Sequence, residues 1–176
     1  ARADPRDALV ARDGLTLHDL PQEASVGTGS PRRAAQLLAV RPDLTIVDIR
    51  GNVDTRLGRV KGLGRYAKNG GKEDLDAVVL AASGLARLGH SGAVTEFLDP
   101  SVVLPAPAQG ALAVECRTAD SRHGKLAKAL ARIDDRRTRL AATAERAVLS
   151  HLEAGGAAPI GALAPVSYTH LTLPTK

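Results

Sequence analysis

Apolar and polar positions along the chain follow two patterns, one typical of strands and one typical of helices. Short apolar runs that predict buried strands lie at residues 8–10, 25–28, 44–49 and 77–82. Helical patterns follow at residues 31–40, about 52–60 and from about 83 onward. Strands that alternate with helices are typical of βαβ units. The first part of the chain therefore predicts an α/β fold with a mostly parallel sheet.

Three later segments have different patterns. Residues 58–74 are rich in glycine and basic residues, and their low apolar content predicts a mobile surface loop. Residues 100–109 contain three prolines and predict an extended connection between lobes. Residues 113–117 predict another strand, in which Cys116 is a small buried side chain.

Two helices are predicted in the remainder of the chain. Apolar residues recur at helical spacing from Leu126 to Ile133 and again from Leu140 through Val148 to Leu152. Residues 159–164 predict the first strand of a further domain.

The segment Val26–Ala35 indicates a strand end, a tight turn and a capped helix start. Gly27 and Gly29 are predicted to supply backbone conformations that other residues avoid. Ser30 is a favourable N-cap, and Pro31 suits the first helical position. The glycines fit neither a Walker phosphate loop nor a dinucleotide-binding turn, because no Lys-Ser/Thr pair follows and no third glycine has the required spacing.

Arginines follow three successive predicted strands. Arg32 and Arg33 follow the first, Arg50 and Arg56 the second, and Arg87 the third. The carboxyl ends of parallel strands meet at one sheet edge, so the pattern predicts a cleft that binds an anion, and guanidinium groups bind carboxylates in a bidentate manner. The alternative is a capped helix end with scattered, solvated arginines.

Composition narrows the choice of ligand. The net charge of +5 and the pI near 9.8 would suit nucleic acid, but only 2% of the residues are aromatic, which argues against base stacking. Small acidic ligands fit better. The single cysteine excludes an internal disulfide, and no His and carboxylate cluster has metal-ligand spacing. Without a visible signal peptide or membrane-length apolar run, we expect a cytoplasmic location and no membrane partner.

Several segments, taken in order, resemble the porphobilinogen deaminase (hydroxymethylbilane synthase) family. They are residues 26–35, 49–57, 80–89, 104–117, 144–147 and 151–161. The sequence of residues 105–111 resembles that of the actinobacterial members of the family. The resemblance implies a transferase of tetrapyrrole (haem) biosynthesis, which joins porphobilinogen units head to tail with release of ammonia. It also implies a dipyrromethane cofactor linked to a cysteine through a thioether.

The resemblance implies a domain organisation as well. Residues 1–104 correspond to the family's second, periplasmic-binding-protein-like domain, and residues 105–131 cross back to the first domain. Residues 132–165 begin a small α+β third domain, which carries the cofactor attachment site. Residues 166–176 no longer resemble the family and resemble translated sequencing adapter. We expect the chain to be a piece of a longer protein, because its first residues resemble mid-protein sequence. We also expect a monomer.

The family's functional residues map onto this chain with two departures. The resemblance assigns binding of cofactor and substrate carboxylates to Thr28, Ser30, Arg32, Arg33, Arg50, Arg56 and Arg87. The family's catalytic aspartate corresponds to a position upstream of Ala1, and Gly156 stands where the family has its attachment cysteine. We therefore expect this chain by itself to be inactive. The alternative function is a non-catalytic module that binds polycarboxylates.

Overall fold

The fold is built on one five-stranded sheet. A computed structural model describes residues 1–122, 124–153 and 158–165. Its strands are β1 (Asp7–Ala11), β2 (Ser25–Gly27), β3 (Thr45–Val47), β4 (Ala77–Ala81) and β5 (Glu96–Phe97). The strand order is β3-β2-β4-β1-β5; β2 pairs in parallel with β3 and β4, whereas β1 is antiparallel to β4 and β5. Only β1 runs against the others, so the mostly parallel sheet is confirmed.

Helices connect the strands and continue beyond them. The described helices are α1 (Pro31–Val40), α2 (Val53–Leu57), α3 (Ala82–Arg87), α4 (Thr118–Arg122), α5 (Gly124–Ile133) and α6 (Arg136–His151). Because α1 connects β2 to β3 and α2 lies between β3 and β4, the predicted alternation of strands and helices is confirmed.

The sheet has a hydrophobic core on each face. Successive residues of β1 and β4 point to opposite faces, so Leu9 and Ala8 belong to different cores. Leu37 of α1 packs into the first core, whereas Leu57 of α2 and Leu85 of α3 pack into the second. Helices on both faces are the arrangement expected for an α/β sheet with buried parallel strands.

The segment 58–74 is folded against the second core. Val60 is fully buried and forms an isolated β-bridge with Leu75, and Leu63 and Tyr66 pack against the same core. An ion pair between Arg59 and Asp74 closes the segment. The prediction that it has too few apolar residues to bury was wrong, since these few residues are spaced so that each reaches the core.

The second half of the chain departs from two predictions. Residues 113–117 form no strand, and Cys116 is half-buried. Helix α6 is confirmed, but Leu140 and Val148 of its predicted core face are exposed, whereas Ala141 and Glu145 are buried.

Residues 158–165 contain no strand, so the strand predicted at 159–164 is wrong for this part of the chain. Gly156 and residues 166–176 lie outside the described residues. In the part of the chain that the structure describes, no helix has the length and apolarity needed to cross a membrane.

Leu37→Ala tests the assignment of α1 to the core. Leu37 is fully buried, whereas its neighbour Leu38 is 38% exposed. We expect Leu37→Ala to lower the free energy of unfolding by about 3 kcal/mol through lost burial and an unfilled cavity. Leu38→Ala is the matched control and should cost less than about 1 kcal/mol. Urea denaturation measures both, and equal costs would contradict the assignment.

Candidate functional site

Four strands bring their ends to one edge of the sheet. The parallel strands β2, β3 and β4 finish there, and the antiparallel strand β1 starts there, with Asp7 paired to Ala81. Ligands of open α/β sheets bind at the carboxyl edge of parallel strands. A carboxylate at the start of β1 is therefore placed among the arginines that follow the other strands.

The turn between β2 and α1 is fixed by local hydrogen bonds. Thr28 is buried, its amide donates to the Val47 carbonyl and its Oγ1 accepts from the amide of Ser30. Ser30 caps α1 by accepting from the amide of Arg33, and Pro31 takes the first helical position. Both predicted roles at the helix start are confirmed.

Glycine is needed in this turn for space. A Cβ on Gly29 would lie 2.7 Å from the backbone oxygen of Ile49, and one on Gly27 would lie 2.6 Å from Leu75 Cδ1. Neither glycine has a positive φ. The prediction of unusual backbone conformations was therefore wrong, and the actual constraint is the close approach of Ile49, which follows β3, and of Leu75, which precedes β4.

Arg32 and Arg33 share one buried carboxylate. Arg32 Nη2 donates to Asp7 Oδ2 at 2.8 Å, while Arg33 Nε and Nη2 donate to Asp7 Oδ1 at 3.0 and 2.7 Å. Arg32 Nη1 donates to the Leu104 carbonyl and Arg33 Nη1 to that of Val79. The Asp7 side chain is fully buried, and those of Arg32 and Arg33 are nearly so.

Burial is the main electrostatic influence on Arg32. Loss of water around the guanidinium lowers the pKa of Arg32, and the Asp7 carboxylate opposes that shift. Arginine still stays protonated in proteins, because its ordinary pKa is so high. The cluster therefore consists of two cations and one anion enclosed in the fold.

Of the other three predicted arginines, Arg50 and Arg87 are exposed and Arg56 is half-buried. The Arg50 side chain is 80% exposed and reaches Asp48 at 3.3 Å. Arg56 Nε donates to the Gly51 carbonyl, and Arg87 is exposed on the last residue of α3. Within the described residues, no hydrogen bond or ion pair joins these three side chains to Arg32 or Arg33. The edge thus has an enclosed arginine pair and a separate set of open arginines.

A small cleft of about 180 Å³ opens beside the start of α1. Ser30 and Arg32 contribute to one wall, and the connecting segment (residues 100–109) contributes Ala106 and Pro107. Ala158 contributes to another wall. The cleft therefore lies where the start of α1, the connecting segment and residues 158–165 meet.

A second buried carboxylate fastens the connecting segment. Glu145 of α6 receives Arg2 Nη1 and Nη2 at 2.6 and 3.0 Å, together with the amides of Ala108 and Ala164 at 2.6 and 2.9 Å. Burial pushes the pKa of Glu145 upward, but these hydrogen bonds outweigh it and hold the pKa below its ordinary value. Glu145 therefore joins the N-terminal segment, the connecting segment and residues 158–165.

Comparisons with known proteins identify the family. A family model described as "Porphobilinogen deaminase, dipyromethane cofactor binding domain" matches residues 1–125. The chain belongs to the porphobilinogen deaminase family. The resemblance stated from the sequence is thus confirmed, and the matched domain is the cofactor-binding domain of that family.

Individual porphobilinogen deaminases match most of the chain. The protein of Cutibacterium acnes is 98% identical over 170 residues, which cover 95% of this chain and 51% of that protein. Those of Micrococcus luteus and Mycobacterium avium are 56% and 59% identical, each covering 94% of this chain and 49% of the relative. The chain therefore spans about half the length of the curated relatives it matches.

Sequence reasoning missed three residues of the candidate site: Asp7, Gln109 and Glu145. Gln109 Nε2 donates to Asp7 Oδ1 at 2.9 Å and to the Pro5 carbonyl at 2.7 Å. An acidic residue at the start of a predicted strand was visible as a signal, but the direction of that strand was not. Among the described residues, no group of His, Cys, Asp and Glu side chains is arranged to bind a metal ion.

Glu145→Gln tests the role of the buried carboxylate through its pH dependence. The pKa of Glu145 in the folded protein lies below its ordinary value of 4.5. The stabilisation that the Glu145 carboxylate gives the fold is therefore complete above pH 4.5 and is lost as the pH falls through the folded-state pKa. We expect the variant to be less stable by about 3 kcal/mol at neutral pH, since Arg2 loses its counter-charge. The difference should shrink in acid.

Thermal melts of both proteins between neutral and acidic pH measure this effect. Glu115→Gln is the control, because Glu115 is exposed. A stability difference for Glu145→Gln that stays constant down to low pH would contradict the assignment.

Proposed function

We propose that this chain forms the part of a porphobilinogen deaminase that binds the carboxylates of the dipyrromethane cofactor and of the growing oligopyrrole. The observation that carries the proposal is the arginine-rich carboxyl edge of the sheet, described above, in a chain whose family model is a cofactor-binding domain. Each pyrrole ring of the family's cofactor and substrate carries an acetate and a propionate, so the ligand is a polyanion.

The chemistry of the side chains at the edge fits such a ligand. Arg50, Arg56 and Arg87 offer accessible guanidinium groups, and Arg32 and Arg33 each retain N–H donors beyond those used internally. Ser30 and the start of the ten-residue helix α1 add a positive helix terminus beside the cleft. These N–H donors suit carboxylates. In the part of the chain that the structure describes, Asp7 is the acidic side chain that pairs with Arg32 and Arg33.

Each residue has a distinct task in this proposal. Thr28 and Ser30 shape the turn that starts α1, and Arg32 and Arg33 provide a fixed positive wall. Arg50, Arg56 and Arg87 bind ring carboxylates and neutralise charge as the chain lengthens. When bound, the dipyrromethane would supply the pyrrole to which the first porphobilinogen unit is joined. Fixing ring positions in this way contributes the proximity part of catalysis.

The family-based organisation belongs to the same proposal. Residues 1–104 form the second, periplasmic-binding-protein-like domain, residues 105–131 cross back towards the first, and residues 132–165 open the third. Head-to-tail condensation of porphobilinogen with release of ammonia is the activity of the complete enzyme, which we propose is monomeric and cytoplasmic. Nucleic acid is not a proposed partner.

Gly156 limits what this chain can do with its cofactor. Glycine has no nucleophilic side chain, so a thioether cannot form at the position where the family has cysteine. Cofactor binding here would rest on ion pairs and hydrogen bonds alone. This residue favours the second candidate function, a non-catalytic module that binds polycarboxylates through the same arginines.

Arginine substitutions test carboxylate binding. We expect porphobilinogen to bind the purified chain in a salt-sensitive manner, and Arg56→Ala or Arg87→Ala to weaken binding about tenfold each by removing a charge-assisted hydrogen bond. Isothermal titration calorimetry measures the affinities. Arg12→Ala is the control, because Arg12 lies at the opposite edge of the sheet and pairs with Asp76. If neither edge variant differs from the parent, the proposal fails.

Restoring the missing cysteine tests the role of Gly156. Residues 1–165 of this chain replace their counterpart in the full-length Cutibacterium acnes relative, either as they stand or with Gly156→Cys. We expect only the Gly156→Cys form to keep a covalent adduct after denaturation, seen by mass spectrometry, and to make hydroxymethylbilane. Uroporphyrin fluorescence after acid oxidation measures the product. Turnover by the glycine form would refute the expected inactivity.

A further inference from the structure

Asp7 is a charged group at the proposed site that the carboxylate-binding role does not explain. It is fully buried, and both of its oxygens accept hydrogen bonds: Oδ2 from Arg32, and Oδ1 from Arg33 and Gln109. An acidic side chain in a site for acidic ligands opposes binding. Its position among two nearly buried arginines therefore calls for an explanation.

Two guanidinium groups need a counter-charge when they are enclosed. Uncompensated buried charge is costly, and like charges side by side repel each other. Asp7 supplies one negative charge, so the group of three keeps a net charge of +1. Without Asp7, a ligand carboxylate would have to fill that place before the arginines could be buried together.

We propose that Asp7 is a built-in counter-anion of the arginine pair, which positions both guanidinium groups and limits the affinity of the site for ligand carboxylates. Asp7 is thus a positioning residue that acts through Arg32 and Arg33. This inference rests on the proposed carboxylate-binding function.

The hydrogen-bond count agrees with a cluster that is restrained yet still able to bind. Of the five N–H groups of a guanidinium, Arg32 uses two on Asp7 and the Leu104 carbonyl, and Arg33 uses three on Asp7 and the Val79 carbonyl. The remaining donors have fixed directions. A ligand carboxylate then meets one net positive charge in place of two, which weakens binding and eases release along a reaction that adds unit after unit.

Asp76 is a matched comparison within the same sheet. It is a largely buried carboxylate that pairs with Arg12 and Lys61 and accepts from Ser25, but it lies at the opposite edge. A structural role alone would make Asp7→Asn and Asp76→Asn behave alike: both would lower the melting temperature, and neither would improve ligand binding.

Calorimetric titration of porphobilinogen into the full chain tests the proposal at low and at physiological ionic strength. We expect Asp7→Asn to bind about tenfold more tightly than the parent, with a steeper loss of affinity as salt increases, because two positive charges now face the ligand. Asp76→Asn should leave affinity unchanged. Asp7→Glu, which keeps the charge, should retain the salt dependence of the parent.

The outcomes separate this inference from the proposed function. Binding by the parent that Asp7→Asn leaves equal or weaker would overturn the counter-anion role while leaving the proposed function standing. Binding by Asp7→Asn alone would support the counter-anion role and refute binding by the parent. Failure of both proteins to bind would overturn both.

A second variant tests the proposal if Asp7→Asn does not fold. If circular dichroism shows that Asp7→Asn does not fold, the same titration is made with Arg33→Gln. This variant leaves Asp7 paired with Arg32 alone, so the cluster loses its net positive charge. We then expect the salt dependence of binding to become shallower and the affinity to fall. An unchanged salt dependence would overturn the proposal.

Discussion

The ion cluster of Asp7, Arg32 and Arg33 is the interaction on which the carboxyl edge of this fold depends. Asp7 begins β1, the two arginines lie in the first turn of α1, and Arg33 also binds the backbone of β4. Arg32 reaches across to the Leu104 carbonyl of the connecting segment. A buried ion cluster is tolerated only when each member is paired and hydrogen-bonded. Assembly of the edge and burial of the charges must therefore occur together.

Local signals predicted this edge well, and long-range pairing did not follow from them. Helix α1 has the predicted bounds because its cap, Ser30, and its first residue, Pro31, act within a few residues of sequence. Asp7 was missed for the opposite reason: its place depends on β1 running antiparallel to β4. Strand direction is set by partners distant in sequence, so an apolar run predicts a strand without predicting which end reaches the site.

The errors in the sequence predictions have a common physical origin. Periodicity shows that a face is apolar, but burial depends on what packs against it. Leu140 and Val148 share one face of α6 as predicted, and yet they are exposed. The buried face of α6 is the neighbouring one, which carries Ala141 and Glu145. In the segment 58–74, average composition concealed Val60, Leu63 and Tyr66, which all reach the core, and Val60 also anchors the segment to Leu75.

The two buried carboxylates are linked through the connecting segment. The side-chain amide of Gln109 donates a hydrogen bond to Asp7, and the Gln109 backbone carbonyl accepts one from Arg2 Nε. The Arg2 guanidinium also pairs with Glu145. Glu145 in turn accepts from the amide of Ala108. A shift of this segment would have to break hydrogen bonds at both carboxylates, which are costly to leave unpaired in the interior. The position of the segment and the geometry of the arginine pair are therefore determined by the same set of bonds, and neither can change alone.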